Sequence, residues 1–361
     1  MAPATTQSLH FLSTCLAALL VMGQLPAQPR VSPAFLANTE GNAANTYPWN
    51  FVGRYQQVHG DLRGQAFAIR GLEFRRDGVQ PGTMAERRLD CEIWLSEGRY
   101  VEFAPAFAAN HRSGMQRTQP RRLVDLPRLP APITPPAPWL VAFPFDAPFA
   151  YSGVEDLVWE LRVHANTVTS VTYHTDAYSG AAVTDVNTSK ATSVGTGCTA
   201  SGNTQRMQAD ACVRTFQAAD RITASLWCAH APRSQASAMF LGSQPVDLQI
   251  PGLCTAFRVG GSTVVIPGTT DAEGLHFVQA SVPFDAALVH ASLIHQVVTV
   301  DPGRLGPLQL SASDLAVWAI PAKPAPGGAV PVARIWVNGP ASGPFGLIDA
   351  TKFALVTGFS R

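Results

Sequence analysis

The sequence predicts an all-β protein of two β-sandwich domains, the second immunoglobulin-like or similar. Three observations indicate this class. Apolar and polar residues alternate with a period of two in many short segments. Only 14% of the 361 residues are charged, and 29 glycines and 29 prolines are distributed between these segments. This composition is typical of short strands that are joined by tight turns.

Residues 1–28 have the character of a signal peptide. The apolar run at 11–23 suits the hydrophobic region of such a peptide and is too short to cross a bilayer. Its amino-terminal side lacks Lys and Arg, whereas residues 25–28 supply a proline and a small residue near a cleavage point. No later segment has the length and apolarity of a membrane helix. The sequence therefore predicts a secreted or cell-surface protein without a membrane span.

The first domain is predicted over residues 30–190. Its clearest strand is 89–95, in which apolar residues occupy every second position. A second strand at 157–163 repeats this rhythm. Between 67 and 74 the alternation shifts at Gly71, which predicts a β-bulge.

The stretch 177–203 consists of small and polar residues and predicts the domain boundary. The second domain is predicted over residues 195–322, because strand-like runs recur there at the spacing of a sandwich. Residues 270–274 have the composition of a hairpin turn. A linker and a strand-forming tail follow at 323–361, and we expect this tail to pack on one of the two domains.

Four cysteines lie close together in the second half, and export favours two disulfides among them over a metal site. These are Cys198, Cys212, Cys228 and Cys254. Their spacing leaves all three pairings open. Cys91 shares the apolar face of its strand, which predicts a buried free thiol.

Several motifs of the first half resemble a family of exported proteins that is abundant in planctomycete-type bacteria. They are NTEGN at 38–42, YPWN at 47–50, RYQQV at 54–58, IRGLEFRRD at 69–77, PFAYSG at 148–153 and DLVWEL at 156–161. The resemblance implies an exported location and a jelly-roll-like sandwich at the start of the mature chain. The family brings no established activity.

Residues 195–320 resemble a second module that occurs in the same organisms. The matching motifs are GC at 197–198, FLG at 240–242, PGLC at 251–254 and TDAEG at 270–274. In that module a cysteine follows the opening glycine and another closes the Pro-Gly-x-Cys turn. The resemblance thus implies a Cys198–Cys254 disulfide and leaves Cys212 to pair with Cys228. The tail beyond residue 322 departs from the pattern.

Aromatic side chains are the first candidates for ligand binding. Trp94 points away from the apolar face of its strand by parity, so it is a candidate platform for sugar rings. Trp49 and Tyr47 are further candidates, although both side chains can instead cover the open end of the sandwich core.

Metal and catalytic signals are weak. Calcium is the favoured cation, with Asp271 and Glu273 or Asp176 and Asp185 as ligands, but no EF-hand spacing occurs. The chain contains neither HxH nor HExxH, which disfavours zinc, and no GxSxG nucleophile motif. The local carboxylates Glu155, Asp156 and Glu160 are predicted to be solvated. No other cofactor is expected.

These patterns predict a non-catalytic module for cell-surface, matrix or glycan association, with a polysaccharide or surface matrix as its partner. The alternative is a secreted hydrolase that acts on polysaccharide through an active site in the N-terminal domain. A purely structural spacer is a third hypothesis. The net charge of +1 provides no electrostatic footprint for nucleic acid.

Overall fold

The structure is a computed structural model that describes residues 29–131, 134–168, 170–180, 186–217, 219–324, 330–344, 346–349 and 353–361. The predicted signal peptide and Asp185, one of the predicted calcium ligands, lie outside the described residues. Within them, strands dominate and the helical segments are five short 3-10 turns: Ala34–Leu36, Gly60–Leu62, Tyr100–Glu102, Phe107–Asn110 and Ala286–Leu288. The predicted all-β class is confirmed.

The strands follow one another along the chain in three groups. The first group is β1 (Arg30–Ser32), β2 (Ala43–Asn45), β3 (Gly53–His59), β4 (Phe67–Arg75), β5 (Arg87–Gly98), β6 (Ser113–Leu126), β7 (Trp139–Tyr151), β8 (Asp156–Asn166) and β9 (Thr175–Ser179). The second is β10 (Val186–Lys190), β11 (Thr192–Val194), β12 (Gln208–Phe216), β13 (Arg221–Ala229), β14 (Ala236–Gly242), β15 (Gln244–Leu248), β16 (Phe257–Gly260), β17 (Val264–Thr269), β18 (His276–Pro283), β19 (Ser292–Val300), β20 (Leu310–Ala312) and β21 (Leu315–Ala319). The third is β22 (Val332–Asn338), β23 (Leu347–Asp349), β24 (Phe353–Leu355) and β25 (Thr357–Ser360).

The first sandwich is built from a six-stranded sheet, β23-β22-β3-β8-β5-β6, and a four-stranded sheet, β1-β25-β4-β7. Their inner faces form one core, which joins Ile93 and Trp159 of the larger sheet to Phe74 and Phe143 of the smaller one. The period of two explains this core, because β5 buries Leu89, Cys91, Ile93 and Leu95 on one face. The predicted bulge is confirmed by a register shift between Ile69 and Gly71.

The C-terminal strands complete the first sandwich. β22 pairs with all seven residues of β3, from Gly53 to His59. β25 lies between β1 and β4, and β24 extends the small β2-β9 sheet. Leu355 and Phe359 are fully buried in the core of the first sandwich. The tail is therefore a structural part of this sandwich.

The second sandwich consists of a four-stranded sheet, β10-β12-β13-β18, and a larger sheet, β11-β21-β19-β14-β17, with β20 paired to β19. Val213 and Leu226 of the first sheet meet Met239, Val297 and Trp318 of the second in one core. Strands β15 and β16 form a separate two-stranded sheet.

The expected hairpin at residues 270–274 is wrong, although the turn itself exists. Asp271 accepts hydrogen bonds from the backbone N–H groups of Glu273 and Leu275, which fixes the turn. The strands on either side belong to different sheets, since β17 pairs with β14 and β18 pairs with β13. The turn therefore carries the chain from one sheet of the sandwich to the other.

The structure contains the Cys198–Cys254 disulfide, whereas a Cys212–Cys228 disulfide is wrong because both thiols are free and buried. Cys212 lies opposite Ser225 on the neighbouring strand. Cys228 is three residues farther along that strand, so the two thiols point to opposite faces of the sheet. Cys91 is also a buried free thiol, as predicted.

The two sandwiches meet through an apolar interface. The outer face of the six-stranded sheet contributes Val58 and Val158, and the segment after β5 adds Tyr100 and Phe107. These side chains pack with Phe216 of the second sandwich. No helix in the described part of the chain has the length and apolarity needed to cross a membrane.

Loss of the Cys198–Cys254 disulfide is expected to destabilise the protein by about 4 kcal/mol, because the bond closes a loop with a sequence separation of 56. Urea unfolding of a Cys198→Ala/Cys254→Ala variant measures this loss. In the control variant Cys212→Ala/Cys228→Ala, added reductant should still lower stability as it does in the wild type. A double variant without Cys198 and Cys254 that unfolds at the wild-type urea concentration would contradict the prediction.

The Phe359→Ala substitution should lower the free energy of unfolding by about 3–5 kcal/mol, since the ring is fully buried. Phe143→Ala, in the same core, should show a loss of similar size. Phe35→Ala is the control, because that ring is 55% exposed. An effect of Phe359→Ala no larger than that of the control would show that the tail is only loosely attached.

Candidate functional site

The candidate site lies on the outer face of the six-stranded sheet, where strand register brings together polar and aromatic side chains. In β5 the core side chains occupy odd positions, so Glu92 and Trp94 point outward. Trp94 lies opposite Arg117 of β6 and Glu160 of β8, and Glu92 lies opposite Arg162 of β8. Residues directly opposite in a sheet share a face, so these side chains form one surface.

Trp94 is half-buried and is flanked by two guanidinium groups. The Cζ atoms of Arg117 and Arg162 lie 5.5 and 5.0 Å from the centroid of its ring, within the range of cation–π attraction. The indole Nε1 is buried and has no hydrogen-bond partner among the described residues. The indole is therefore held by the sheet and the arginines, and its remaining exposed surface faces solvent.

Glu92 supplies the carboxylate of this surface. Its oxygens lie 3.6 Å from Nη1 of Arg117, 3.7 Å from Nη1 of Arg162 and 3.5 Å from Nε2 of His164. These contacts are longer than direct hydrogen bonds, and Arg117 is 50% exposed. The guanidinium groups thus keep donors for a ligand. We call Glu92, Trp94, Arg117, Arg162 and His164 the Trp94 face.

Next to Trp94, on the same face of the sheet, lies a fully buried carboxylate, that of Glu160. It accepts hydrogen bonds from Nη2 of Arg54 at 2.8 Å, Nε2 of Gln56 at 3.0 Å and Nε2 of His111 at 3.0 Å, and a further one from Arg162. Burial opposes ionisation, but the His111 hydrogen bond and the charges of Arg54, His111 and Arg162 outweigh it and lower the pKa of Glu160 to about 2. Glu160 is therefore ionised at neutral pH.

This network also fixes two segments outside the sheet. Nη1 of Arg54 donates to the carbonyl of Gly343 at 2.9 Å, which ties the loop after β22 to the sheet. Gln56 accepts a hydrogen bond from Asn110, which in turn bonds the backbone of Ala104. Glu160 thus organises the sheet, the segment between β5 and β6 and the tail loop together.

Ser96, His111 and Glu160 are connected like a hydrolytic triad, an arrangement that sequence reasoning missed. Ser96 Oγ lies 2.6 Å from Nδ1 of His111, whose Nε2 lies 3.0 Å from Glu160. Ser96 and Glu160 are completely buried, and the His111 side chain is only 3% exposed. A nucleophile must reach its substrate, so this buried chain of hydrogen bonds has a structural role. No motif links the three positions in sequence.

The other local carboxylates of the first half are bound to arginines. Arg99 holds both oxygens of Glu155, at 2.8 Å each, and its hydrogen bonds lower the pKa of that carboxyl. Arg63 binds Asp156 at 2.8 Å, although burial raises the pKa of Asp156. The expectation that these carboxylates are solvated is wrong for Asp156 and Glu160, which are 3% and 0% exposed because each is enclosed by its hydrogen-bond partners.

A cleft of about 360 Å³ lies where the loop after β22 meets the second sandwich. Its polar lining includes His230 and Glu273, and Pro340 and Pro344 form part of its apolar wall. Burial lowers the pKa of His230, which keeps its ring neutral at pH 7. The cleft therefore places an acid and a neutral imidazole in one cavity, outside the predicted N-terminal domain.

The three predicted sugar-binding aromatics differ in position. Trp94 is outward, as its parity predicts, but Trp49 is completely buried, and its indole Nε1 donates to Oγ1 of Thr175 at 2.7 Å. A sugar-binding role for Trp49 is wrong because its ring fills the core of the first sandwich. Tyr47 is half-buried and packs on Phe51 and Trp336, with ring centroids 4.7 and 4.1 Å away.

The three described calcium candidates lie in two regions, Asp176 in the first sandwich and Asp271 with Glu273 in the turn between β17 and β18. Asp176 is buried and binds Nε of Arg75 at 2.8 Å, while Asp271 is engaged by the turn described above. Glu273 lines the cleft. In the described part of the chain, no three His, Cys, Asp or Glu side chains form a group that could hold a metal ion. Calcium binding stays a prediction.

Comparisons with known proteins add little to this geometry. No family model matches the chain, and no curated protein matches it. A solved structure described as a "putative beta-galactosidase from bacteroides fragilis" is 10% identical and covers 79% of this chain, with a TM-score of 0.15. This chain spans 34% of that protein. At such a TM-score the likeness carries no argument about fold or activity.

Glu160→Gln should destabilise the protein by about 3 kcal/mol at pH 7, because it removes a buried carboxylate whose pKa falls from 4.5 to about 2 on folding. A depressed pKa stabilises the fold above the unfolded-state value, and this stabilisation is lost as pH falls from about 4.5 to 2. The variant should therefore lose less stability than the wild type across that interval.

Urea unfolding at a series of pH values measures both effects. Glu86→Gln is the matched control, since it makes the same substitution at an exposed position. Parallel profiles for the wild type and Glu160→Gln between pH 5 and 2 would contradict the ion-pair account of Glu160.

Proposed function

We propose that this protein is an exported, non-catalytic β-sandwich protein that associates with cell-surface or matrix polysaccharide through the Trp94 face. The observation that carries the proposal is the half-buried indole of Trp94, set on a rigid sheet between Arg117 and Arg162 and beside Glu92. An aromatic ring bordered by planar hydrogen-bonding groups suits a pyranose, which offers C–H groups on a face and hydroxyls at its edge.

The rigidity of the surface supports binding. All five side chains of the Trp94 face lie on three hydrogen-bonded strands, and a site on strands is held more precisely than one on loops. Arg162 also donates a hydrogen bond to Glu160, so the hydrogen bonds around Glu160 fix one of the two guanidinium groups of the Trp94 face. Little conformational entropy is then lost when a ligand binds.

The charge of the Trp94 face favours acidic sugars. Three guanidinium groups, those of Arg54, Arg117 and Arg162, face the two carboxylates of Glu92 and Glu160, so this region carries an excess of positive charge. A guanidinium binds a carboxylate with paired, charge-assisted hydrogen bonds. Polysaccharides that contain uronic acids therefore match the surface better than neutral ones, and their binding should weaken as salt rises.

The non-catalytic assignment is supported by the positions of the acids in the first half. Glu155 and Asp156 are bound by arginines and Glu160 is buried, so the carboxylates singled out from the sequence do not face one another across an open cleft. Export is supported by the Cys198–Cys254 disulfide, since such bonds persist in oxidising compartments. The proposed kinship with exported planctomycete-type proteins agrees with this location.

Trp94→Ala should abolish binding to an array of uronic acid polysaccharides without changing the unfolding temperature by more than a few degrees. Arg117→Ala should weaken binding at least tenfold at low salt and have less effect at high salt. Phe35→Ala, which removes another exposed aromatic ring, is the control and should bind like the wild type.

Each array is read with calcium and with a chelator, so that a calcium-dependent site is detected separately. Undiminished binding by Trp94→Ala would overturn the role of the Trp94 face. No binding of any glycan would overturn the glycan part of the proposal. Cleavage of a polysaccharide in a zymogram would overturn its non-catalytic part and favour the hydrolase alternative.

A further inference from the structure

The interface between the two sandwiches contains a buried arginine, Arg214 of β12. Its side chain projects from the same face of the strand as Cys212 and Phe216, both of which belong to the apolar interface. Arg214 is 3% exposed, and its Cζ lies 5.3 Å from the centroid of the Phe216 ring. The guanidinium group is therefore enclosed between aromatic side chains and the sheet.

Arg214 lacks the partners that other buried arginines have. Nε and Nη2 are buried without a hydrogen-bond partner among the described residues. By contrast, Arg54 binds Glu160, Arg75 binds Asp176, and Arg87 donates to several carbonyl and amide oxygens. A buried and unpaired guanidinium costs several kcal/mol, so an unmatched positive charge at this position requires a counter-charge.

Two hydroxyl groups beside Arg214 are also unpaired. Thr188 of β10 lies directly opposite Arg214. Ser225 of β13 lies opposite Cys212, which is two residues from Arg214 on β12 and points to the same face of the sheet. Thr188 Oγ1 and Ser225 Oγ are buried and have no partner within the described residues. Thr188 and Ser225 lie on opposite sides of β12, two strand spacings apart, so their hydroxyls cannot reach the same ion. The hydroxyl of Thr188, directly opposite Arg214, can donate to an anion that the guanidinium group holds.

The titratable groups that share this face do not neutralise Arg214. Burial raises the pKa of Cys212, so its thiol stays protonated at neutral pH. Lys190, opposite Cys212, adds positive charge. Asp210 accepts a hydrogen bond from the N–H of Ala211. It lies on the same strand as Arg214, four residues away. Water could satisfy the N–H groups of Arg214 but would leave its charge unmatched.

We propose that the interface holds a small inorganic anion of the size of chloride, bound by Arg214 together with the hydroxyl of Thr188. This site is separate from the Trp94 face and does not depend on glycan binding. The anion supplies the missing counter-charge and accepts hydrogen bonds from the unused donors of Arg214 and Thr188. Because it binds only where the two sandwiches pack together, it stabilises the folded protein by mass action.

The first test is thermal unfolding of the full chain at constant ionic strength, with sodium chloride replacing sodium gluconate, whose anion is much larger than chloride. We expect the unfolding temperature of the wild type to rise with chloride by roughly 2 °C or more and then to level off. Arg214→Met keeps the length of the side chain but removes its charge, and should abolish the rise.

Arg221→Met is the matched control, because Arg221 lies on the adjacent strand and is exposed. This variant should keep the full chloride response. A wild-type unfolding temperature that does not change with chloride would overturn the proposal. So would a response that Arg214→Met retains.

A second test does not depend on the folding of Arg214→Met. Crystals of the wild type grown in sodium bromide should show an anomalous peak beside the guanidinium of Arg214. The conservative variant Thr188→Val should weaken the peak and reduce the chloride response. A water molecule or a carboxylate of the chain at that position, with no bromide, would overturn the proposal.

Discussion

Much of the described structure depends on the hydrogen bonds that the carboxylate of Glu160 accepts. It is completely buried, yet it is ionised because four side chains donate hydrogen bonds to it. Removing any one donor would leave a buried charge partly unsatisfied, which is far more costly than losing a surface ion pair. The same group orients Arg162, and through it the Trp94 face, while Arg54 anchors the tail loop at Gly343.

The interface between the sandwiches combines apolar packing with confined polar groups. Phe107 packs on Arg54, with the guanidinium Cζ 4.2 Å from the ring centroid. The apolar cluster of the interface is therefore in direct contact with a residue that binds Glu160. Across the boundary, Arg214 lies against Phe216 in the same cluster. Apolar burial supplies the affinity of such an interface, and the few buried charges restrict how the two bodies can be oriented.

The sequence was sufficient for the fold class and for parts of the site. Alternation alone placed Leu89, Cys91, Ile93 and Leu95 in the core, and the same parity turned Trp94 outward. The neighbours of Trp94 could not be predicted, because Arg117 and Arg162 reach it only through strand register, which includes bulges between β5 and β6. Register depends on tertiary pairing, which local patterns do not encode.

The failures have equally specific causes. Ser96, His111 and Glu160 are distant in sequence, so no spacing motif could connect them. A tryptophan can either bind a sugar ring or fill a core, and the residue type alone does not say which. Only the three-dimensional structure shows that Trp49 fills the core. The family resemblance implied a Cys198–Cys254 bond and left Cys212 and Cys228 as the remaining pair. That these two thiols point to opposite faces of the sheet becomes evident only once Cys212 is paired with Ser225.

The position of the tail determines the order in which the protein assembles. Gly53 pairs with Asn338, and Ser32 pairs with Thr357, so the first sheets are joined by contacts between the two extremes of the chain. A ribosome delivers the amino-terminal strands long before their carboxy-terminal neighbours. The second sandwich can close during synthesis, whereas the first must wait with open strand edges, a state prone to aggregation and suited to chaperones. The first sandwich therefore cannot be completed before strands β22 to β25 have been made.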